Sequence, residues 1–222
     1  VTATGRALQL AGTSADLSEG SNVLSSGLDA VYLTTWTYSL TPAFEPGTVI
    51  MGPDTTFGDV GGTGILVAGP GTVATLNGTV LSGAAANGIT MNTSGFVTLI
   101  GATIEDVGGD GIQASAGTIT TSGGAQINNS GNDGIQLDVV AMANLAGLTI
   151  TDSVGAGILV NGGSAVLDTV TITGSGGSGL AVVGGSVTTG AGTAIVDSAG
   201  AGISASGGSL DVTESSIVNS GT

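Results

Sequence analysis

The chain has 222 residues, 43 of them Gly, and a single cation, Arg6, against 16 carboxylates, for a net charge of −15. With no His, no Cys and no Lys, the usual zinc and copper sites, Ser-His-Asp triads, Cys-His dyads and Lys Schiff bases are excluded. One Arg cannot neutralise a nucleic-acid backbone or hold an anionic bilayer surface, so neither is an expected partner.

Hydrophobic residues at 41% can build a core, but aromatics at 3% require it to be thin and made of Val, Ile, Leu and Ala. No stretch approaches the ~18 apolar residues of a membrane-spanning helix, so membrane insertion by this segment is not expected. The chain opens Val1-Thr2-Ala3-Thr4 without Met or a basic leader, as a mature product or an excised segment would. Residues 1–33 read as irregular N-terminal rungs. Ala7-Leu8-Gln9-Leu10 and Gly27-Leu28-Asp29-Ala30 form two of them, 20 residues apart.

Residues 34–62 read as an insertion. The next Gly-Ile, Gly64-Ile65, stands 37 residues after Gly27, an excess of about 14 over the repeat described below. Tyr32, Trp36, Tyr38, Phe44 and Phe57, five of the six aromatics, lie in or beside it, with Pro42, Pro46 and Pro53. Loops on a rigid scaffold are common binding elements, and aromatic faces suit sugar stacking or protein contact. These five residues are the binding candidates. The alternative is a loop that packs on the stack and shields it.

Residues 64–222 repeat. Gly followed by Ile or Leu recurs at Gly64, Gly88, Gly111, Gly134, Gly157, Gly179 and Gly202, with spacings of 24, 23, 23, 23, 22 and 23 residues. A second apolar column holds Ile104, Ile127, Ile150, Ile172, Ile195 and Ile217. Two residues later runs a turn column of Asp106, Asn129, Asp152, Gly174, Asp197 and Asn219. Short alternating segments such as Ile112-Gln113-Ala114, Thr118-Ile119-Thr120 and Leu148-Thr149-Ile150-Thr151 read as strands. Three strands in a period near 23 predict an all-β single-stranded parallel β-helix over residues 1–222. About nine rungs at strand spacing would span roughly 40 Å.

The run Ile150-Thr151-Asp152-Ser153-Val154-Gly155-Ala156-Gly157-Ile158 resembles the right-handed parallel β-helix repeat. That repeat occurs in bacterial autotransporter passengers, large secreted adhesins, phage tailspikes and pectate-lyase-like enzymes. The resemblance covers residues 64–222. With the general right-handed crossover preference, it implies a right-handed solenoid. It does not specify an activity, because the fold hosts many.

Carboxylates supply the remaining chemistry. Glu105, Asp106 and Asp110 cluster at one corner, with Asn129 and Asp133 one rung on. Such a group could hold Ca²⁺, and Asp54 and Asp59 form a second Ca²⁺ candidate; no other cofactor is expected. The competing reading is a solvated turn column. Pectate-lyase-like enzymes place an Arg or Lys near the abstracted proton, and polygalacturonase-like enzymes combine an Asp pair with His and a basic motif. Neither set exists here, so no catalytic residue is assigned. A block of outward Thr149, Thr151, Thr171 and Thr173 is too small for an ice-ordering array and reads as ordinary strand Thr.

The expected function is therefore a non-enzymatic extracellular or cell-surface β-helix segment, a stalk or adhesin passenger, that meets a host or neighbouring-cell glycan or protein. One alternative is a fibre subunit self-associating end to end through open β-helix edges. A second is a polysaccharide-active enzyme of the pectate-lyase-like fold, using Asp106, Asp110 and Asp133.

Overall fold

The computed structural model describes residues 2–19, 22–37 and 44–221. Among them there is no helix, and the strands stack in parallel as a β-solenoid. One sheet contains ten strands in series, from Thr2–Ala3 to Ser216–Val218. This matches the expected count of about nine rungs to within a turn. A second, 17-stranded sheet folds into two faces. The long strands Ile112–Ser122 and Ile135–Ala146 run from one of these faces onto the other. The solenoid thus has three faces around a thin core.

The columns read from the sequence are in register. Ile104 pairs with Ile127, Ile127 with Ile150, Ile150 with Ile172 and Ile172 with Ile195, all fully buried. The Gly-Ile column forms the inner edge of the second face: Ile89, Ile112, Ile135 and Ile158 stack in turn. Close approach favours glycine in the regular rungs of that column. A Cβ on Gly134 would lie 2.5 Å from both the Gly157 carbonyl oxygen and Ile150 Cγ2. The same carbonyl accepts the Ile135 N–H at 3.0 Å, so a side chain at Gly134 would crowd the rung-to-rung hydrogen bond.

The turn column has a backbone cause. Asp59, Asp106, Asn129, Asp152, Asp197 and Asn219 all adopt φ between 51° and 57°, and Gly174 in the same column has φ 69°. This left-handed region is closed to most side chains and tolerated by Asp, Asn and Gly.

The N-terminal register differs from the expectation. Leu8 pairs with Val31, so Ala30-Val31, not Gly27-Leu28, stands where later rungs have Gly-Ile. Ala30 is small enough for the close approach, and Leu28 is exposed in the preceding turn. The inserted segment is also shorter than the spacing implied. Leu8 to Val31 is 23 residues, whereas Val31 to its next partner Ile65 is 34, an excess of 11. Thr48–Met51 and Thr55–Val60 are ordinary rung strands. The extra chain lies between Val31–Thr37 and Thr48–Met51, where Thr35, Trp36 and Thr37 pair antiparallel with Pro46, Glu45 and Phe44.

Burying an unpaired carboxylate in the Ile ladder is strongly unfavourable. Ile150→Asp is expected to lower stability by more than ~3 kcal/mol, read as a large drop in melting temperature by circular dichroism. A wild-type melting curve would refute the inward ladder.

Candidate functional site

Asp110 and Asp133 stack one rung apart at the corner before the second face, each only 5% exposed. One oxygen of each carboxylate accepts a backbone N–H. The Asp133 N–H donates to Asp110 Oδ1 at 3.0 Å, and the Ala156 N–H donates to Asp133 Oδ1 at 2.6 Å. Asn132 Nδ2 donates to Asp110 Oδ1 at 2.7 Å. Asn87 fills the same place one rung earlier, its Oδ1 accepting the Asp110 N–H at 2.8 Å. The column is therefore a ladder in which each side chain satisfies the backbone of the next rung.

The remaining carboxylate candidates are dispersed. Asp106 sits in the left-handed turn column and accepts from Asn129 Nδ2 at 2.8 Å. Asp59 occupies the same column nearer the N-terminus. Glu105 is half-buried on the strand Thr103–Val107, and Asp54 is exposed in the turn before Thr55–Val60. Among the described residues, no group of three or more His, Cys, Asp or Glu could hold a metal ion.

The aromatic candidates also separate. Phe57 is 2% exposed and stacks between Leu24 and Leu81 in the inward column of the first face, so it belongs to the core and not to a binding surface. An inward register position on a rung strand dictates that burial. Tyr32 is half-buried, with the Arg6 guanidinium 3.7 Å above its ring centre. Arg6 also meets Asp29 at 3.3 Å, so the chain's single cation is engaged twice. Trp36 and Phe44 lie on the antiparallel pair, and Tyr38 falls outside the described residues.

Two features escaped the sequence reading. Asp138 is a hub for amides from three rungs: Gln136 Nε2 donates to its Oδ2 at 3.0 Å, Gln113 Nε2 at 3.3 Å, and Asn161 Nδ2 to its Oδ1 at 2.8 Å. Immediately after it the register shifts. Ala114 pairs with Leu137 but Ala116 pairs with Val140, so Asp138 and Val139 together oppose Ser115. Val139 is driven to φ 39°, a left-handed conformation that is strained for a β-branched residue. Val139, Val140 and Met142 are 71%, 65% and 51% exposed, and Phe96, two rungs earlier, is 49% exposed. A shallow groove of about 250 Å³ runs between Gly95, Phe96, Ala116, Thr118, Val140 and Met142. A second, of about 270 Å³, lies over Gly162, Gly163 and Gly185. The signal was legible. Other rungs turn this corner on Gly, as at Ser94-Gly95, Ala116-Gly117, Gly162-Gly163 and Gly184-Gly185, whereas this one reads Val139-Val140-Ala141.

No protein-family model, curated protein or solved structure matches the chain.

Burial pushes the carboxyls of Asp110 and Asp133 above the ordinary value of 3.8. The backbone and amide donors oppose that shift, and the charge of Asp138 adds to it. A carboxyl raised in the folded state binds more protons there than in the unfolded chain. Its stabilising contribution is complete below pH 3.8 and is lost as pH rises through the raised folded values. Melting temperature is therefore expected to fall as pH rises above about 4 through the raised folded values, and less steeply in Asp133→Asn. That variant keeps the acceptor oxygen, as Asn87 does. An identical pH slope in wild type and variant would show that Asp133 does not titrate in this way.

Proposed function

We propose that this chain is a non-enzymatic structural or adhesive β-helix segment working at the cell surface or outside the cell. The observation that carries this reading is the use made of its carboxylates. Asp106, Asp110 and Asp133, the carboxylates that the enzyme reading would use, are tied into hydrogen bonds between rungs. That use supports a structural role for them. The resemblance to autotransporter passengers and secreted adhesins supports the same reading, through the fold alone.

The antiparallel pair of Val31–Thr37 and Phe44–Pro46 departs from the parallel pairing of the solenoid, and it is where an adhesive contact would be displayed. Replacing Trp36 and Phe44 together by Ala should lower retention on glycan-coated or cell surfaces at least tenfold. Undiminished retention would remove the antiparallel pair from the adhesive role.

A second reading is the end-to-end fibre subunit, in which the strand edge of the solenoid pairs with a second copy. Sedimentation velocity at high salt should then show a distribution of growing species that Ile217→Asp abolishes. A single discrete species under those conditions would eliminate it.

A further inference from the structure

Three columns of side chains point outward from the third face. The one at its edge carries the exposed Asp168, paired with Ala146. The other two are uncharged along most of their length. One runs Thr48, Val73, Phe96, Thr118, Met142, Ser164, Ser186 and Ser209. The other runs Ile50, Thr75, Thr98, Thr120, Asn144, Val166 and Thr188, with Asp16 paired before Ile50 and Asp211 after Thr188. Between those two aspartates, across seven rungs, neither column carries a charge. Seven rungs at strand spacing make a strip roughly 30 Å long. None of the 16 carboxylates falls on these two columns between those aspartates; Asp168 lies beside them at the edge of the face.

The apolar bulge sits at the edge of the same strip. Val139, Val140 and Met142 project as knobs, with Phe96 beside them. Directly next to them, the 270 Å³ hollow over Gly162, Gly163 and Gly185 is walled by Val139 to Met142. Knob and hole are thus adjacent on one face. A two-fold rotation can set the bulge of each copy over the hollow of the other. The strained Val139 backbone holds the knobs out in water, where an ordinary Gly corner would expose none.

We propose that this face is a lateral, two-fold interface between two copies of the chain, with the Val139–Met142 bulge of each seated in the glycine hollow of the other. Charge selects this occupant. Two molecules of net charge −15 repel one another over most of their surfaces, and this strip is the stretch where the fewest carboxylates would face each other, with Asp138 and Asp168 at its margins. The groove between Phe96, Val140 and Met142 has no charged or amide side chain in its lining, and its side-chain hydrogen-bonding groups are the hydroxyls of Ser94 and Thr118. The contact is closed, so it yields a dimer and not a filament. It does not depend on the adhesive reading, and it differs in place from the end-on stacking of the fibre reading.

The test is sedimentation equilibrium of the whole chain across a series of NaCl concentrations. A monomer–dimer equilibrium is expected, with the dimer strengthening as salt screens the net charge. Met142→Glu and Val140→Glu should each weaken the dimer at least tenfold. Thr173→Glu adds the same charge on the outward side of the first face and should have a much smaller effect. Far-ultraviolet circular dichroism and melting temperature verify folding of each variant. Val139→Gly relieves the strained backbone and removes one knob, so it should weaken the dimer without loss of stability. A monomer at every salt concentration overturns the proposal, as does a dimer that survives Met142→Glu. Species larger than a dimer that Ile217→Asp removes would place self-association at the solenoid end and also overturn it. So would a monomer whose retention on a neutral glycan surface is lost in Phe96→Ala, because the groove would then belong to a sugar.

Discussion

In-register parallel stacking places every side chain against its own counterpart one rung away, at roughly 4.8 Å. Each column must therefore tolerate like upon like, and this constraint shapes the molecule. An apolar column gains from it, as the buried Ile104–Ile195 ladder does. A column of like charges does not, unless each charge is matched by a donor. Asp110 and Asp133 meet the condition by accepting the backbone N–H of the next rung, which supplies a donor that repeats with the stack. The turn column meets it by alternating Asp with Asn and Gly, so that Asn129 can donate to Asp106.

The same constraint explains why carboxylates near one another in a repeat need not form a site. Repetition brings Asp106 and Asp110 to two different corners, one governed by a left-handed backbone and one by burial. Their proximity in sequence reflects the short distance between two turns. A catalytic or metal site needs groups converging on one point, whereas stacking spreads equivalent groups along a line. Convergence in a solenoid therefore comes from breaks in the repeat. Here those breaks are the antiparallel pair near the N-terminus and the Val139 bulge. Serine shows that the stack also carries costs. The hydroxyls of Ser130, Ser153, Ser175 and Ser198 are buried in one corner column with no hydrogen-bond partner, at about 1–3 kcal/mol each.

The solenoid, its period and most of its inward columns were legible in the sequence, because a repeat reports the same environment many times over. The Ile ladder and the Gly-Ile column were read residue by residue, and each pairs as the spacing required. Legibility failed where the repeat had one instance. Near the N-terminus, Ala30 replaces the marker Gly, so Gly27-Leu28 drew the register away and inflated the insertion. Phe57 was grouped with the loop aromatics because its neighbours Pro53 and Asp54 look loop-like, yet its strand pairs on both sides.

Composition and periodicity alone determined that this chain stacks as a β-solenoid and that His-, Cys- and Lys-based chemistry is closed to it. Those conclusions depend only on which residue types exist and how regularly they recur. The tertiary structure decided which carboxylates are tied to the backbone, that Phe57 is core, and that a face with two largely uncharged columns carries an exposed apolar bulge. These depend on which way a side chain points and what lies one rung away. A one-residue register shift between Ala114 and Ala116 is enough to turn Val139 and Val140 outward, and only the pairing of the strands reveals it.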